Sequence, residues 1–292
     1  MEYLMSETYF NAKITKEMHK KTIQSILKTY GLSSSKIKYL FENQCCYVNG
    51  EISDENQILK VNDYLMIDIS NFEKLDYLPE AYELKILYED EYLLIINKPP
   101  GYIIYPENHR GHSTIVNFVA NYYAKKGLNL SIRQCHRLDK DTSGCLIFAK
   151  DLITHSAMCK LFENHQIEKT YWAYVEGIIE ESGEINFPIG KDRHVNGKMI
   201  THSKGKTAHT YYKPLSVKKD KTLLEIRIDT GRTHQIRVHM ATIGHPLIGD
   251  KLYGAKTNQR VMLHCKTMLF HHPITFENLY IEAPVTDDFR KS

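Results

Sequence analysis

From Cys135 to Gly144 the chain crowds two carboxylates, Asp139 and Asp141, three cationic or titratable side chains, His136, Arg137 and Lys140, and two hydroxyls into one short stretch. It then runs directly into Cys145-Leu146-Ile147-Phe148-Ala149. An apolar run of that length is a strand buried on both faces. The charges before it therefore sit at the mouth of a core strand and not on a solvated loop. A fold that tolerates them there has a use for them.

The rest of the composition is that of an ordinary globular protein. The 292 residues are 42% hydrophobic and 25% charged, long enough for one large domain or two smaller ones. No stretch approaches the roughly 18 apolar residues of a membrane span. Met1-Glu2-Tyr3-Leu4-Met5-Ser6-Glu7 has no basic region leading into an apolar one, so no secretory signal is expected, and the chain is placed in the cytoplasm without a membrane partner. The six cysteines form no Cys-x-x-Cys pair, and the 15 histidines show no His-Glu-x-x-His spacing, so neither a disulfide framework nor a metal site is expected. The formal net charge is only +3, so any phosphate-binding face must come from local clustering.

Residues 12–70 read as a small separate unit. Within Met18–Tyr30, Ile23, Ile26, Leu27 and Tyr30 have the spacing of an amphipathic helix that Gly31 stops. Ser33-Ser34-Ser35 offers caps for a second helix over Lys36–Asn43. Cys46–Ile52 reads as a hairpin turning at Asn49-Gly50, and Tyr64–Ile69 as a further strand. Two short helices followed by strands resemble the alpha-L RNA-binding domain shared with a small-subunit ribosomal protein of the S-four type, although Ser34 stands where that family usually has arginine. The resemblance implies phosphate contacts from Lys20, Lys21, Lys28, Lys36 and Lys38; on charge alone the same lysines could simply solvate two helices.

Residues 71–83, broken by Pro79, read as a linker, and residues 84–292 as a second unit. Strands are expected on both sides of the acidic turn at Glu89-Asp90-Glu91, and a helix over Thr114–Lys126 that Gly127 ends. Asp151 caps another helix, Glu168–Glu176 alternates like a strand, and Lys191, Arg193, Lys198, Lys204 and Lys206 form a cationic run in a hairpin-like region. Leu223–Asp229 is a strand leading to Thr230-Gly231-Arg232-Thr233-His234-Gln235-Ile236-Arg237-Val238-His239, where Thr233 is expected to cap a helix with Ile236, Met240 and Ile243 on its core face. The expected fold class is α+β: a mainly antiparallel mixed sheet with flanking helices, preceded by a small α+β unit.

Taken by themselves, Asp139 in a cationic loop and Arg237 on a helix point to an acid held by a cation in a site for an anionic polymer, with a carboxylate nucleophile as the nearest chemistry. A structural salt bridge is the plainer alternative. A glycosidase lacks its paired acid here. Asp141, two residues beyond Asp139, shares its side of an extended chain, so spacing does not choose between them.

The segment His136-Arg137-Leu138-Asp139-Lys140-Asp141-Thr142-Ser143-Gly144 resembles the signature of RluA-type pseudouridine synthases, and Gly231–His239 resembles their third motif. Asn97-Lys98-Pro99-Pro100-Gly101 and Lys169-Thr170-Tyr171-Trp172-Ala173 match two further segments in the right order. The likeness covers residues 84–283; Tyr105 departs from it, standing before Pro106 where histidine is common. The resemblance implies isomerisation of uridine to pseudouridine in RNA without cofactor or metal. It assigns catalysis to Asp139, Tyr171 and Arg237, filling of the flipped base's place to Arg137, and the pocket wall to Leu138 and Ile236. Whether Asp139 attacks the anomeric carbon or the uracil ring, or assists glycal formation, stays open. The expected partner is RNA, large-subunit ribosomal RNA by analogy, and the chain is expected to act as a monomer. A synthase acting on transfer RNA, or a non-catalytic RNA-binding or ribosome-assembly protein on the same scaffold, are the alternatives.

Overall fold

The computed structural model describes residues 8–106, 111–257 and 259–291; the Met1–Glu7 segment, where no secretory signal is expected, lies outside them. The first unit is a four-stranded sheet in the order β1 (Tyr9–Lys13), β4 (Tyr64–Asp68), β2 (Cys46–Val48), β3 (Glu51–Ile52), packed by α1 (Ile23–Thr29) and α2 (Ser34–Glu42). β2 and β3 form the expected hairpin. Asn49 and Gly50 both take positive φ, 53° and 89°, as a turn of this kind demands. Tyr9–Lys13 carries no alternation that announces a strand, yet it pairs along its whole length with β4.

The first helix is shorter than its periodicity predicts. Lys20 adopts φ 61°, which breaks the helical path, and the helix starts after Thr22, whose hydroxyl accepts from Ser25 N at 3.2 Å. Met18 is still buried, but in the preceding turn.

The second unit is built on a ten-stranded sheet whose main path runs β10 (Gly183–Ile185), β13 (Thr210–Lys218), β14 (Lys221–Ile228), β9 (Glu168–Glu176), β15 (Leu263–His271), β8 (Ser143–Ala149), β6 (Leu93–Lys98), β5 (Ile86–Glu89). Off this path, β7 (Arg133–Gln134) joins β8, and β16 (Asn278–Glu282) joins β15. Every pairing is antiparallel except β15 with β8. The architecture is the α+β class expected from the sequence. A separate two-stranded arm, β11 (Ile189–Lys191) and β12 (Met199–Thr201), carries part of the cationic run.

Every residue of β8 is buried, as its unbroken apolar run requires. Burial of each large aliphatic side chain there is worth about 1.5–3 kcal/mol, so this strand anchors the sheet. At its start the chain must pass very close to β15. Gly144 has φ 110°, and a Cβ there would fall on the backbone of Cys265, so only glycine fits.

Helices α3 (Ile115–Lys125) and α4 (Leu152–Glu163) flank the sheet. Thr114 and Asn117 form a capping box on α3, and Asp151 accepts from Ile153 N and Thr154 N at the start of α4. The short α6 (Asp287–Lys291) ends the described chain.

Residues 71–83 do not hang free. Glu73 is buried and pairs with Arg133 at 2.6 Å, Lys74 N donates to Ser131 Oγ at 3.0 Å, and Tyr82 stacks on Phe118 with ring centroids 4.3 Å apart. The first unit also packs on the second: Ile153, Ala157 and Ile274 complete its core, and the Tyr92 hydroxyl donates to Asn11 O at 2.6 Å.

Candidate active site

The loop between β7 and β8 owes its shape to buried groups that grip its backbone. Lys98, with no exposed surface at the end of β6, donates to the carbonyls of Pro99 (3.0 Å), Lys140 (2.8 Å) and Thr142 (2.9 Å). Gly101 N adds a second bond to Lys140 O at 2.9 Å, and Arg260 donates to Asp141 O at 3.2 Å. From the other side, the ring of His136 accepts the Ile147 N–H through Nε2 at 3.2 Å. Within the loop, Thr142 N closes a turn onto Asp139 O at 3.1 Å. The Asp139 side chain is thereby presented from a fixed backbone.

Burial drives the two gripping side chains away from their ordinary ionisation. It pulls the Lys98 ammonium down to about 7, against the charges of Asp141 and Asp139. It also pulls His136 down to about 3, which keeps Nε2 free to accept. Asp141, left without a task by the sequence, is the foremost negative charge acting on Lys98.

Helix α5 (Gln235–Thr242) supplies the opposite wall. Thr233 does not cap it. The N-cap is His234, held in the left-handed region at φ 56°, and Thr233 is exposed. Gln235 ties the turn instead: its Oε1 accepts from the Thr230 hydroxyl at 2.7 Å and from Arg232 N at 3.1 Å, while its Nε2 donates to His209 O at 2.8 Å. Ile236 and Met240 are buried as expected, but burial extends over the whole of Gln235–Met240, including Arg237.

Arg237 spans two carboxylates. Its Nε and Nη2 donate to Asp250 at 2.7 and 2.9 Å, and Nη1 donates to Asp139 Oδ2 at 3.0 Å. Its guanidinium carbon also lies 5.2 Å from the centre of the Tyr253 ring. Burial works against the cation, but hydrogen bonds and charge from Asp250 and then Asp139 outweigh it and raise its pKa further. His234 completes the surround, with Nε2 3.6 Å from Asp139 Oδ2 and Nδ1 3.0 Å from the Tyr253 hydroxyl. Burial lowers the pKa of this imidazole more than Asp139 raises it, so at neutral pH it faces Asp139 uncharged.

Tyr171, on β9, projects into the same space. Burial first, and the neighbouring Cys265 second, lift its phenol well above the usual tyrosine range, so it is protonated at neutral pH. A cavity of about 80 Å³, open to solvent, is lined by Arg137, Leu138, Asp139, Tyr171, Ile236 and Arg237, among others. All six residues that the sequence singles out around Asp139 and Arg237 thus meet at one cavity. The five lysines do not: Lys20, Lys21, Lys28 and Lys38 are exposed on the first unit, Lys36 is half-buried, and none lines the cavity. Lys28 donates to Gln24 at 2.7 Å, and Lys38 pairs with Glu42 at 3.5 Å.

Asp250, Tyr253, Lys98 and His234 received no role from the sequence. One signal was present for Asp250: it is the first charge after the apolar stretch Pro246-Leu247-Ile248-Gly249. Among the described residues no group of histidine, cysteine or carboxylate side chains is arranged to hold a metal ion, and no helix is long and apolar enough to cross a membrane.

Residues 92–242 match the family model described as RNA pseudouridylate synthase. The chain is 40% identical over 273 residues to the uncharacterized RNA pseudouridine synthase YhcT of Bacillus subtilis, covering 91% of this chain and 90% of that protein. It is 32% identical to the ribosomal large subunit pseudouridine synthase D of Haemophilus ducreyi, covering 88% of this chain and 84% of that one. Among solved structures it is similar to human RNA pseudouridylate synthase domain containing 1, with 25% identity and a TM-score of 0.60 over 72% of this chain and 88% of that chain. Except for Leu263, the residues that line the cavity around Asp139 lie within the matched range, and with these likenesses the chain belongs to the RNA pseudouridylate synthase family and is an RNA pseudouridine synthase, an isomerase.

Proposed function

We propose that the protein isomerises specific uridines of large-subunit ribosomal RNA, with Asp139 as the nucleophile. The observation that carries this reading is the Asp139 carboxylate on a braced loop, with Arg237 at 3.0 Å on one side and a cavity walled by Tyr171 on the other. The ribosomal target is supported by the likeness to a ribosomal large subunit pseudouridine synthase over most of both chains.

In this reading the target uridine leaves the RNA stack and its uracil enters the cavity, since a stacked base cannot be reached. The N1–C1′ bond breaks, the uracil turns, and a C5–C1′ bond forms; C5 loses a proton and N1 gains one. Nothing is gained or lost overall, so no cofactor is required. Asp139 engages the reacting nucleotide while Arg237 orients it, Tyr171 stacks against the ring, and exposed Arg137 occupies the place the base has left. Residues 12–70 act as an RNA-binding domain, and the exposed lysines at 20, 21, 28 and 38 add phosphate contacts.

The experiment is to map pseudouridines in ribosomal and transfer RNA from cells with and without the gene, and to treat unmodified transcripts with the purified protein. A large-subunit position that disappears without the gene and is restored by the protein supports the proposal. Product confined to transfer RNA, or RNA binding with no product, overturns it.

A further inference from the structure

The Asp139 carboxylate is approached by two nitrogens of different kinds, and both face the same oxygen. Arg237 Nη1 donates to Oδ2 at 3.0 Å, and His234 Nε2 lies 3.6 Å from it. Among the described residues no hydrogen bond falls on Oδ1. The mechanism gives Arg237 a role and leaves His234 without one.

His234 is held where it is by more than its own chain. It is the N-cap of α5 and lies at φ 56°, a left-handed conformation uncommon for a residue with a side chain. Such a conformation persists where the surroundings over-determine it. Here Tyr253, in the turn at Lys251–Tyr253, sets its hydroxyl 3.0 Å from Nδ1, with the two rings at right angles and their centroids 5.8 Å apart. That hydroxyl is fixed in turn from β12, where Met199 N donates to it at 3.0 Å.

The direction of each proton follows. A backbone amide can only donate, so the Tyr253 oxygen accepts from Met199 and has its own proton to give. Among the described residues that hydroxyl has no other hydrogen-bonding partner than Nδ1. A neutral imidazole that accepts at Nδ1 carries its proton on Nε2, the nitrogen facing Asp139. Three segments distant along the chain thus orient one N–H.

A neutral donor suits this place. The charged or titratable groups around the ring are Asp139, Arg137, Arg237, Asp250 and Tyr253, and Arg237 already supplies a full positive charge to Oδ2. A second cation there would stabilise the carboxylate further and make it a weaker nucleophile, whereas a neutral N–H fixes its direction at little cost in reactivity.

We infer that His234 is a positioning residue for Asp139: its Nε2–H, set by Tyr253, steadies Oδ2 so that Oδ1 is offered to the reacting nucleotide. This rests on the reading of Asp139 as the nucleophile. At 3.6 Å the contact is electrostatic in the free protein, and it closes to a hydrogen bond when RNA fills the site.

The test measures kcat and KM of the full-length protein on an RNA that the wild type modifies. His234→Leu removes both ring nitrogens. His234→Gln keeps an acceptor for Tyr253 and a donor for Asp139, and the two replacements bear the left-handed φ alike. Since misplacing a reacting group by about 1 Å can cost about a hundredfold, His234→Leu is expected to lower kcat about ten- to a hundredfold with KM unchanged, and His234→Gln to recover most of that loss. Tyr253→Phe keeps the ring beside Arg237 but loses the hydroxyl. It is expected to lower kcat about tenfold in the wild type and not at all in His234→Leu, because the hydroxyl acts through the imidazole. A side chain that merely supported the fold would give additive losses and no recovery with Gln. Near-wild-type kcat in His234→Leu, a Gln variant no better than Leu, or additive losses overturn the positioning role and leave the isomerase reading standing. Should His234→Leu not fold, Tyr253→Phe decides: a fall in kcat at constant KM supports the role, and an unchanged kcat overturns it. A wild-type protein that forms no product in any transcript overturns the isomerase reading, and the positioning role with it.

Discussion

Asp250 holds Arg237 by two hydrogen bonds, 2.7 and 2.9 Å long, and thereby aims its remaining nitrogen at Asp139, 3.0 Å away. Asp250 is wholly buried, and Arg237 bridges its carboxylate to that of Asp139. Breaking a buried ion pair by removing one partner costs about 3–5 kcal/mol. Asp250→Ala is therefore expected to lower stability by that amount in urea unfolding. Asp250→Asn, which keeps the shape, is expected to reduce kcat about ten- to a hundredfold with little change in RNA affinity. Unchanged kcat in Asp250→Asn would remove its positioning role.

Asp139→Asn is expected to abolish pseudouridine formation while RNA binding survives, because the amide keeps the size but not the charge of the proposed nucleophile. Arg237→Lys should also fail to support normal turnover, since a point-like ammonium cannot bridge two carboxylates as the guanidinium does. Single-turnover assays and RNA titration separate the two effects, and measurable product from Asp139→Asn would sink the assignment.

Lys98→Met removes the donors shared by three carbonyls of the loop and its approach. Lys140 O keeps the Gly101 N–H, and each of the other two acceptors left unpaired costs about 1–3 kcal/mol, so a loss of at least about 2 kcal/mol is expected in urea unfolding. The folded fraction should turn over more slowly, because the Asp139 backbone is no longer fixed. Wild-type stability and rate in this variant would show that the grip is dispensable.

Acid should weaken the fold before the carboxylates titrate. Burial lowers His136 to about 3 and His264 to about 4, whereas both return to their ordinary value near 6.5 on unfolding. Between pH 6.5 and about 4 the unfolded chain binds protons that the folded chain refuses, so stability is present above 6.5 and falls as pH falls. Each imidazole adds up to about 1.4 kcal/mol per pH unit. Urea unfolding from pH 7.5 to 4.5 should show that slope, and His136→Gln should flatten it by about one proton. A slope the same in both proteins would exclude His136 as a source.

Gly144→Ala places a Cβ against the backbone of Cys265 at a φ of 110°. Neither strand can yield without parting β8 from β15, so the expected outcome is loss of soluble, cooperatively unfolding protein. Circular dichroism and thermal melting check it.

Much of this fold is legible in the chain because the signals are local. The unbroken apolar run of β8, the Asn49-Gly50 turn, and the cap at Asp151 each act within a few residues. The local signals mislead where backbone geometry intervenes: Lys20 at φ 61° shortens α1, and His234 at φ 56° takes the cap expected of Thr233. β1 was not legible because its place depends on pairing with β4, some fifty residues away, and not on its own pattern.

The same division holds at the site. The sequence alone singled out the candidates for the chemistry, since Asp139, Tyr171 and Arg237 sit in motifs whose members are neighbours along the chain. Only the tertiary structure decided what holds them. Arg237 meets Asp139 across 98 residues, Asp250 clamps Arg237, and Lys98 grips carbonyls 42 and 44 residues away. A buried ion pair or a gripped carbonyl is set by where strands and loops converge in space, and no spacing along the chain encodes that convergence.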